Sequence, residues 1–69
     1  MNRQYVSSSD IVSIGYENGT LEIEFHSGGI IYQYLNVPER IYNNLMNSTS
    51  YGKYFHNYIK NSYSPIKIS

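Results

Sequence analysis

The chain has 69 residues, which is enough for one small domain, and its five basic and five acidic residues cancel to a net charge of zero that singles out no class of partner. It contains no cysteine, so disulfides and thiolate metal sites are excluded, and its two histidines are too few and too far apart to predict a metal site. Nine of its eleven aromatic residues are tyrosines, and no motif points to an enzyme.

Residues 11–35 show the alternation of apolar and polar side chains that is typical of half-buried strands. The alternating apolar positions are Val12, Ile14 and Tyr16, then Leu21, Ile23 and Phe25, then Ile30, Tyr32 and Tyr34. The pattern predicts three consecutive strands.

Two glycine-containing pairs separate these strands and predict their register. Asn18-Gly19 favours a type I′ hairpin, which needs positive φ at both central residues, and Gly28-Gly29 predicts a second two-residue turn. The predicted partners are Tyr16 with Leu21, Ile14 with Ile23, Val12 with Phe25, Phe25 with Tyr32, and Ile23 with Tyr34. This register gathers the alternating apolar residues from Val12 to Tyr34 on one face. We expect the other face, which carries Glu22 and Glu24, to be open to solvent.

The second half of the chain predicts two short helices. Pro38 and Glu39 suit the start of a helix, and the apolar spacing that follows indicates a helix over about 38–47. Ser50 is suited to cap a second helix, whose apolar stripe comprises Tyr51, Tyr54, Phe55, Tyr58 and Ile59. Residues 61–65 end it, and residues 66–68 are compatible with either a short edge strand or a frayed tail.

Together these elements predict an α+β fold in which a three-stranded antiparallel meander packs on two short helices, with a short C-terminal edge strand as an option. We expect a single domain over residues 1–69 whose ordered core spans about 8–64.

Several of these residues form a pattern that resembles the KTSC domain. The pattern consists of Tyr16-x-x-Gly19, Leu21-x-Ile23-x-Phe25, Gly29, Tyr32-x-Tyr34-x-x-Val37-Pro38, and Ser50-x-Gly52-x-Tyr54-Phe55 followed by Ile59. That small module is found at the C-terminus of some lysyl-tRNA synthetases and as a stand-alone bacterial or phage protein. The resemblance implies an RNA-binding role, because the module accompanies a tRNA-charging enzyme, and it transfers no catalytic residues.

Tyr32 and Tyr34 are the first candidate binding residues. Two rings at this spacing on a strand point the same way, and such pairs stack on unpaired bases in RNA-recognition modules. The alternative interpretation is that both rings are core residues beside Phe25, because aromatic rings dominate small cores.

The charges are distributed unevenly along the chain despite their zero sum. Residues 1–34 hold one basic and four acidic residues, a net charge of −3, whereas residues 35–69 hold four basic residues and one acid, a net charge of +3. Nucleic acid is therefore expected on the helical side, near Arg40, Lys53, His56 and Lys60, because the acidic sheet face would repel phosphate. The alternative is a helix face that is merely solvated.

The start of the second helix is a further candidate, because its free N–H groups at Ser50 favour an anion and Lys53 follows closely; the alternative is an ordinary helix cap. A hydrolytic triad is not expected, since no nucleophile-elbow motif is present and the acids lie on segments unsuited to orient a histidine. We therefore predict no catalytic residue, no metal and no cofactor.

The functional prediction is a non-catalytic module that binds RNA or a nucleotide through the basic helical side, at Tyr32, Tyr34, Arg40, Ser50, Lys53, Tyr54, His56 and Lys60. The alternatives are a small nucleotide-derived ligand, or a protein partner that includes a second copy bound through the acidic and basic ends. No signal peptide or membrane span is evident, so we expect a cytoplasmic protein without a membrane partner. The amino-acid usage is typical of an AT-rich genome, such as that of a bacterium or its phage.

Overall fold

The computed structural model describes residues 1–69 and contains five strands and two helices. The strands are β1 (Arg3–Tyr5), β2 (Ile11–Glu17), β3 (Thr20–Phe25), β4 (Ile31–Tyr34) and β5 (Pro65–Lys67). The helices are α1 (Glu39–Met46) and α2 (Tyr51–Tyr58), and they connect β4 to β5. Neither helix is long and apolar enough to cross a membrane.

The strands form one antiparallel sheet in chain order, β1-β2-β3-β4-β5. The α+β class and the three central strands are confirmed, and β5 is the C-terminal edge strand that the sequence left as an option. The prediction omitted β1, which adds an edge strand on the other side, so the sheet has five strands rather than three or four. β1 was missed because three residues are too few to show a period, and because its pairing depends on contacts with β2 rather than on its own sequence. Both added strands lie outside the range 8–64.

The hairpin between β2 and β3 has the predicted turn. Asn18 and Gly19 have φ of 51° and 82°, as a type I′ turn requires. The pairs Tyr16–Leu21 and Ile14–Ile23 are confirmed.

The predicted pair Val12–Phe25 is wrong, because β2 contains an irregularity between Ile11 and Ser13 that leaves Val12 as an extra residue. Ile11 takes the place opposite Phe25 and is fully buried. Alternation alone does not reveal such a bulge, because Ile11 and Val12 are both apolar and β-branched.

The turn between β3 and β4 is longer than predicted. Ser27–Gly29 form a 3-10 turn, and the Phe25 N–H donates to the Ile30 carbonyl at 2.9 Å, so the strands close around four residues. The predicted pairs Phe25–Tyr32 and Ile23–Tyr34 are therefore wrong, and Ile23 pairs with Tyr32 instead. Because the shift is two residues, and side chains alternate with a period of two, Tyr32 and Tyr34 stay on the predicted face.

Both helices cover that face of the sheet and complete the core. The buried apolar residues are Ile11, Ile14, Leu21, Ile23, Tyr34, Val37, Leu45, Phe55 and Ile59. Leu45 of α1 and Val37, just before that helix, belong to this core, as do Phe55 of α2 and Ile59 at its C-terminal end. This arrangement positions the aromatic side chains of β3, β4 and α2 against one another.

The opposite face of the sheet is not the open acidic surface that we expected. Glu22 is buried, and its carboxylate accepts hydrogen bonds from Arg3 and from Gln33. The Arg3 Nε also donates to Ser13, whose hydroxyl in turn donates to Glu24. The Arg3 guanidinium thus compensates the charge of this face, so the prediction of an exposed Glu22 is wrong.

Candidate functional site

A groove of about 400 Å³ opens between the β3–β5 side of the sheet and α2, and four aromatic residues dominate its lining. These are Phe25, Tyr32, Tyr34 and Phe55, and we call this space the aromatic groove. The Phe55 ring lies edge-to-face against Phe25 and Tyr34, with centroid distances of 5.3 and 5.6 Å. Strand alternation brings Tyr32 and Tyr34 to the groove, while the helical period turns Phe55 toward the sheet.

The aromatic residues differ in how far they are open to solvent. Phe55 and Tyr34 are each only 3% exposed, whereas Phe25 and Tyr32 are half-buried. The half-buried rings can therefore contact a ligand directly. Burial, together with the neighbouring Tyr32, raises the pKa of Tyr34 to about 12, so this phenol stays protonated at neutral pH.

Polar side chains from distant parts of the sequence meet at the rim. His56 Nε2 lies 2.9 Å from Asp10 Oδ2, and both side chains are about half exposed, at 48% and 53%. Gly52 leaves room for this contact, because a Cβ there would lie 3.3 Å from the same Asp10 oxygen. Lys60 contributes a cation to the rim beyond the end of α2.

The contact between Asp10 and His56 corrects one step of the sequence interpretation, which placed the acids on segments unsuited to orient a histidine. The two side chains do meet, but the hydroxyls of the neighbouring serines, Ser8 and Ser50, accept hydrogen bonds from backbone N–H groups instead of contacting the histidine. Ser8 Oγ accepts from the N–H groups of Asp10 and Ile11, and Ser50 Oγ accepts from the Lys53 N–H. An acid and a histidine therefore stand together without a serine hydrogen-bonded to the histidine.

A second groove of about 380 Å³ adjoins the first, and it is mostly polar. Its lining comes from residues 7–10, residues 49–53 and His56. Ser50 is the N-cap of α2, as predicted, and its Oγ lies 3.3 Å from the Lys53 N. Asp10 and His56 line both grooves and separate them.

The structure brings most, but not all, of the predicted site residues together. Tyr32, Tyr34, His56 and Lys60 line the aromatic groove, and Ser50, Lys53 and His56 line the polar groove. Two predicted residues line neither groove. Arg40 is exposed on α1, and Tyr54 packs on Tyr58 with a centroid distance of 4.7 Å.

Sequence reasoning missed several residues that line the aromatic groove. They are Asp10, Phe25, Ser27, Ile30, Phe55, Asn61 and Pro65. Phe25 and Phe55 were assigned to the core alone, and the pattern that places them there does not show whether a groove reaches them. No local sequence pattern places Asp10 at this groove, because its partner His56 is 46 residues away along the chain.

The ion pairs leave the helical side with uncompensated positive charge. Arg3 forms ion pairs with Glu22 and Glu24, and the Asp10 carboxylate is within hydrogen-bond distance of His56 Nε2. None of the four basic residues in the second half of the chain forms an ion pair; they are Arg40, Lys53, Lys60 and Lys67. The structure thus retains two free cations that line the grooves, Lys53 and Lys60, while Arg3 compensates Glu22 and Glu24.

The fold and its grooves define a small α+β module in which two helices cover one face of a five-stranded antiparallel sheet. The family model described as the KTSC domain matches residues 7–63, and the chain belongs to the KTSC domain family. The resemblance seen in the sequence is thereby confirmed.

Individual relatives agree with this assignment. The crystal structure of a KTSC domain protein from Yersinia pestis is 48% identical, with a TM-score of 0.93, and the match covers 99% of this chain and 97% of that one. An uncharacterized protein of Stutzerimonas stutzeri is 37% identical over 62 residues, which are 87% of this chain and 86% of that protein. A lysine–tRNA ligase of Nostoc is 42% identical over 50 residues; this match covers 72% of this chain and only 9% of the ligase.

Proposed function

We propose that the protein is a non-catalytic module that binds RNA, or a nucleotide derived from it, through the aromatic groove and the basic side of α2. The observation that carries this proposal is the aromatic groove itself, with His56 and Lys60 at its rim. An apolar, ring-lined groove beside a cation suits the two chemically different parts of a nucleotide, its base and its phosphate.

The rings supply the surface on which a base would stack. Base–aromatic stacking contributes about 1–3 kcal/mol per base and tolerates any sequence, because every base has a π-face. Phe25 and Tyr32 are accessible enough to provide that face, while Tyr34 and Phe55 hold them in place. Sequence-tolerant stacking of this kind is typical of modules that bind single-stranded RNA.

The free cations supply the attraction for phosphate. Lys53, His56 and Lys60 follow one another at helical spacing, so they face the same side of α2 and the turn beyond it. Lys53 and Lys60 have no acidic partner, and Asp10 is already occupied by His56. A phosphate bound near Lys60 therefore meets a cation whose charge is not cancelled.

The size of the aromatic groove favours one nucleotide unit over a run of bases. A space of about 400 Å³ lies at the small end of ligand pockets. That unit belongs either to a single-stranded RNA or to a free nucleotide. The relationship to a lysine–tRNA ligase supports the RNA source.

Self-association through the acidic and basic ends has less support. Two of the carboxylates that this alternative requires, those of Glu22 and Glu24, are bound within the chain by Arg3.

The test is fluorescence anisotropy at low salt with labelled single-stranded RNA of about 12 nucleotides. Lys53→Gln with Lys60→Gln should weaken binding by at least roughly tenfold and flatten its dependence on salt, because two phosphate contacts are lost. Asn2→Glu with Gln4→Glu lowers the net charge equally on the exposed β1 edge, and it should change binding by less than about threefold.

Unlabelled ribonucleoside monophosphates distinguish the two sources. If a monophosphate displaces the RNA with a dissociation constant close to that of the RNA itself, the site recognises a single free nucleotide; if displacement needs far higher concentrations, the RNA chain is the ligand. Absence of binding by the unaltered protein, or equal losses in the two double variants, would contradict the proposed function.

A further inference from the structure

The hydroxyl of Tyr34 is an exception among the buried polar groups of this protein. Tyr34 is 97% buried, since only 3% of its surface is exposed, and its ring packs on Phe55 and Tyr32. No protein group forms a hydrogen bond with its hydroxyl. Every fully enclosed side-chain N or O atom has a hydrogen-bond partner, so the Tyr34 oxygen is not fully enclosed. Tyr34 is one of the residues that line the aromatic groove, and this groove is the opening that we assign to its hydroxyl.

Tyr16 shows how the same fold treats another tyrosine on the same face of the sheet. Its hydroxyl donates to the Val37 carbonyl at 2.5 Å, and its ring stacks on Tyr42. Ser13 and Glu22 are likewise supplied with partners. At Tyr34 the ring makes all the packing contacts, and the ring of a phenylalanine would make the same ones. Packing therefore does not explain why a hydroxyl is present at this largely buried position.

We propose that the Tyr34 hydroxyl is the polar recognition group at the bottom of the aromatic groove, where it hydrogen-bonds the edge of a flat heteroaromatic ring and determines which rings are accepted. This inference rests on the proposed function and specifies its ligand. The phenol is protonated at neutral pH, as any tyrosine is, and burial only raises its pKa further, so the hydroxyl is available as a donor. The matching group on the ligand is then a carbonyl oxygen or an unprotonated ring nitrogen, which nucleobases present and a plain benzene ring lacks.

A matched pair of tyrosine-to-phenylalanine substitutions tests the inference. Tyr34→Phe should leave the urea midpoint unchanged or raise it, because no intramolecular hydrogen bond is lost. The same variant should bind single-stranded RNA roughly tenfold more weakly, because every base presents an acceptor that would lose its donor. Tyr16→Phe should give the opposite result, with a lower midpoint and unchanged affinity, because Tyr16 lines neither groove and its hydroxyl has a structural partner.

The outcomes separate this inference from the proposed function. If the unaltered protein binds RNA and Tyr34→Phe binds it equally well, the hydroxyl is only hydrated. The inference then fails and the proposed function stands. A clear fall in the midpoint of Tyr34→Phe also overturns the inference, because it reveals a structural role. If the unaltered protein binds neither RNA nor ribonucleoside monophosphates, the proposed function itself fails.

Discussion

Arg3 reaches across β2 to form an ion pair with Glu22 on β3, and it does so directly over Gly15. Arg3 is the partner of Gly15 in the β1–β2 ladder, and Gly15 is the partner of Glu22 in the β2–β3 ladder, so the three residues lie in a row. Gly15 has no side chain to obstruct the guanidinium. One arginine thereby ties the first strand to the centre of the sheet.

Loss of this arginine should destabilise the fold. We expect Arg3→Gln to lower the free energy of unfolding by about 1–3 kcal/mol, because it leaves the Glu22 carboxylate buried without its cation. The estimate stays below that for a fully buried pair, since the Arg3 side chain retains 27% exposure. Urea denaturation followed by circular dichroism measures the change. Arg40→Gln, at an exposed position, should change it by less than about 0.5 kcal/mol; equal effects of the two substitutions would contradict a special role for Arg3.

The glycine beneath the arginine should be equally sensitive. A Cβ at Gly15 would lie 2.8 Å from the backbone oxygen of Asn2 and 3.0 Å from the Arg3 Cγ, so β1 must move. We expect Gly15→Ala to destabilise by about 1–3 kcal/mol. Gly52→Ala is the comparison, because its Cβ meets only the adjustable Asp10 side chain and alanine favours helix. It should leave the stability unchanged or raise it by up to about 1 kcal/mol, which is the helix preference of alanine over glycine; an equal loss in thermal scans of both variants would argue against the close approach at Gly15.

Acid should weaken the same network. Burial alone raises the pKa of Glu22, but the hydrogen bonds from Gln33 and Arg3 and the charge of Arg3 outweigh it, so the pKa lies below its ordinary value of 4.5. A carboxyl whose pKa is lower in the folded state stabilises the fold fully above its unfolded pKa and loses that contribution as the pH falls through the folded value. Stability should therefore decline as the pH falls below about 4.5.

The matched variants for this pH dependence are Glu22→Gln and Glu17→Gln. Glu22→Gln should lower the stability at neutral pH. It should also flatten the decline in acid, because the glutamine amide does not take up a proton in this pH range. Glu17 is exposed and forms no ion pair, so its substitution should leave the decline nearly unchanged. Urea midpoints measured from pH 7 down to about 3 provide the comparison. Parallel curves for Glu22→Gln and the unaltered protein would contradict the assignment.

The N-cap of α2, Ser50, should contribute measurably to the free energy of unfolding. Ser50 Oγ accepts a hydrogen bond from the Lys53 N–H, so Ser50→Ala should cost about 1 kcal/mol. Thr49→Ala, one residue earlier and exposed, should cost less than about 0.5 kcal/mol. Chemical denaturation of the two variants decides between a specific cap and a general effect of losing a hydroxyl in this turn.

Local sequence determined the centre of the fold. Asn18-Gly19 and the alternation around it specify the β2–β3 hairpin, and Ser50 marks where α2 begins. Even where the β3–β4 register was wrong, the side chains of Tyr32 and Tyr34 remained on the predicted face. These features depend on turn geometry and on periods of a few residues, which a short segment expresses by itself.

The candidate site was accessible to sequence reasoning only in part. The aromatic and basic residue types led to Tyr32, Tyr34, His56 and Lys60, which do line one groove. They also led to Arg40 and Tyr54, which line neither. The contact between Asp10 and His56 joins a loop before β2 to α2, and no local pattern encodes a contact over that separation.

Tertiary structure alone decided the two edge strands, the ion pair over Gly15 and the unpartnered hydroxyl of Tyr34. Each depends on which residues from distant segments are adjacent after folding, because hydrogen bonds and ion pairs form only between groups in contact. The sequence by itself determined most of the side chains that face the core, since these follow from local periodicity; Ile11, which replaces Val12 there because of the bulge, is an exception. The packing of β1, β5 and α2 determined which polar groups find partners and which one is left open toward the groove.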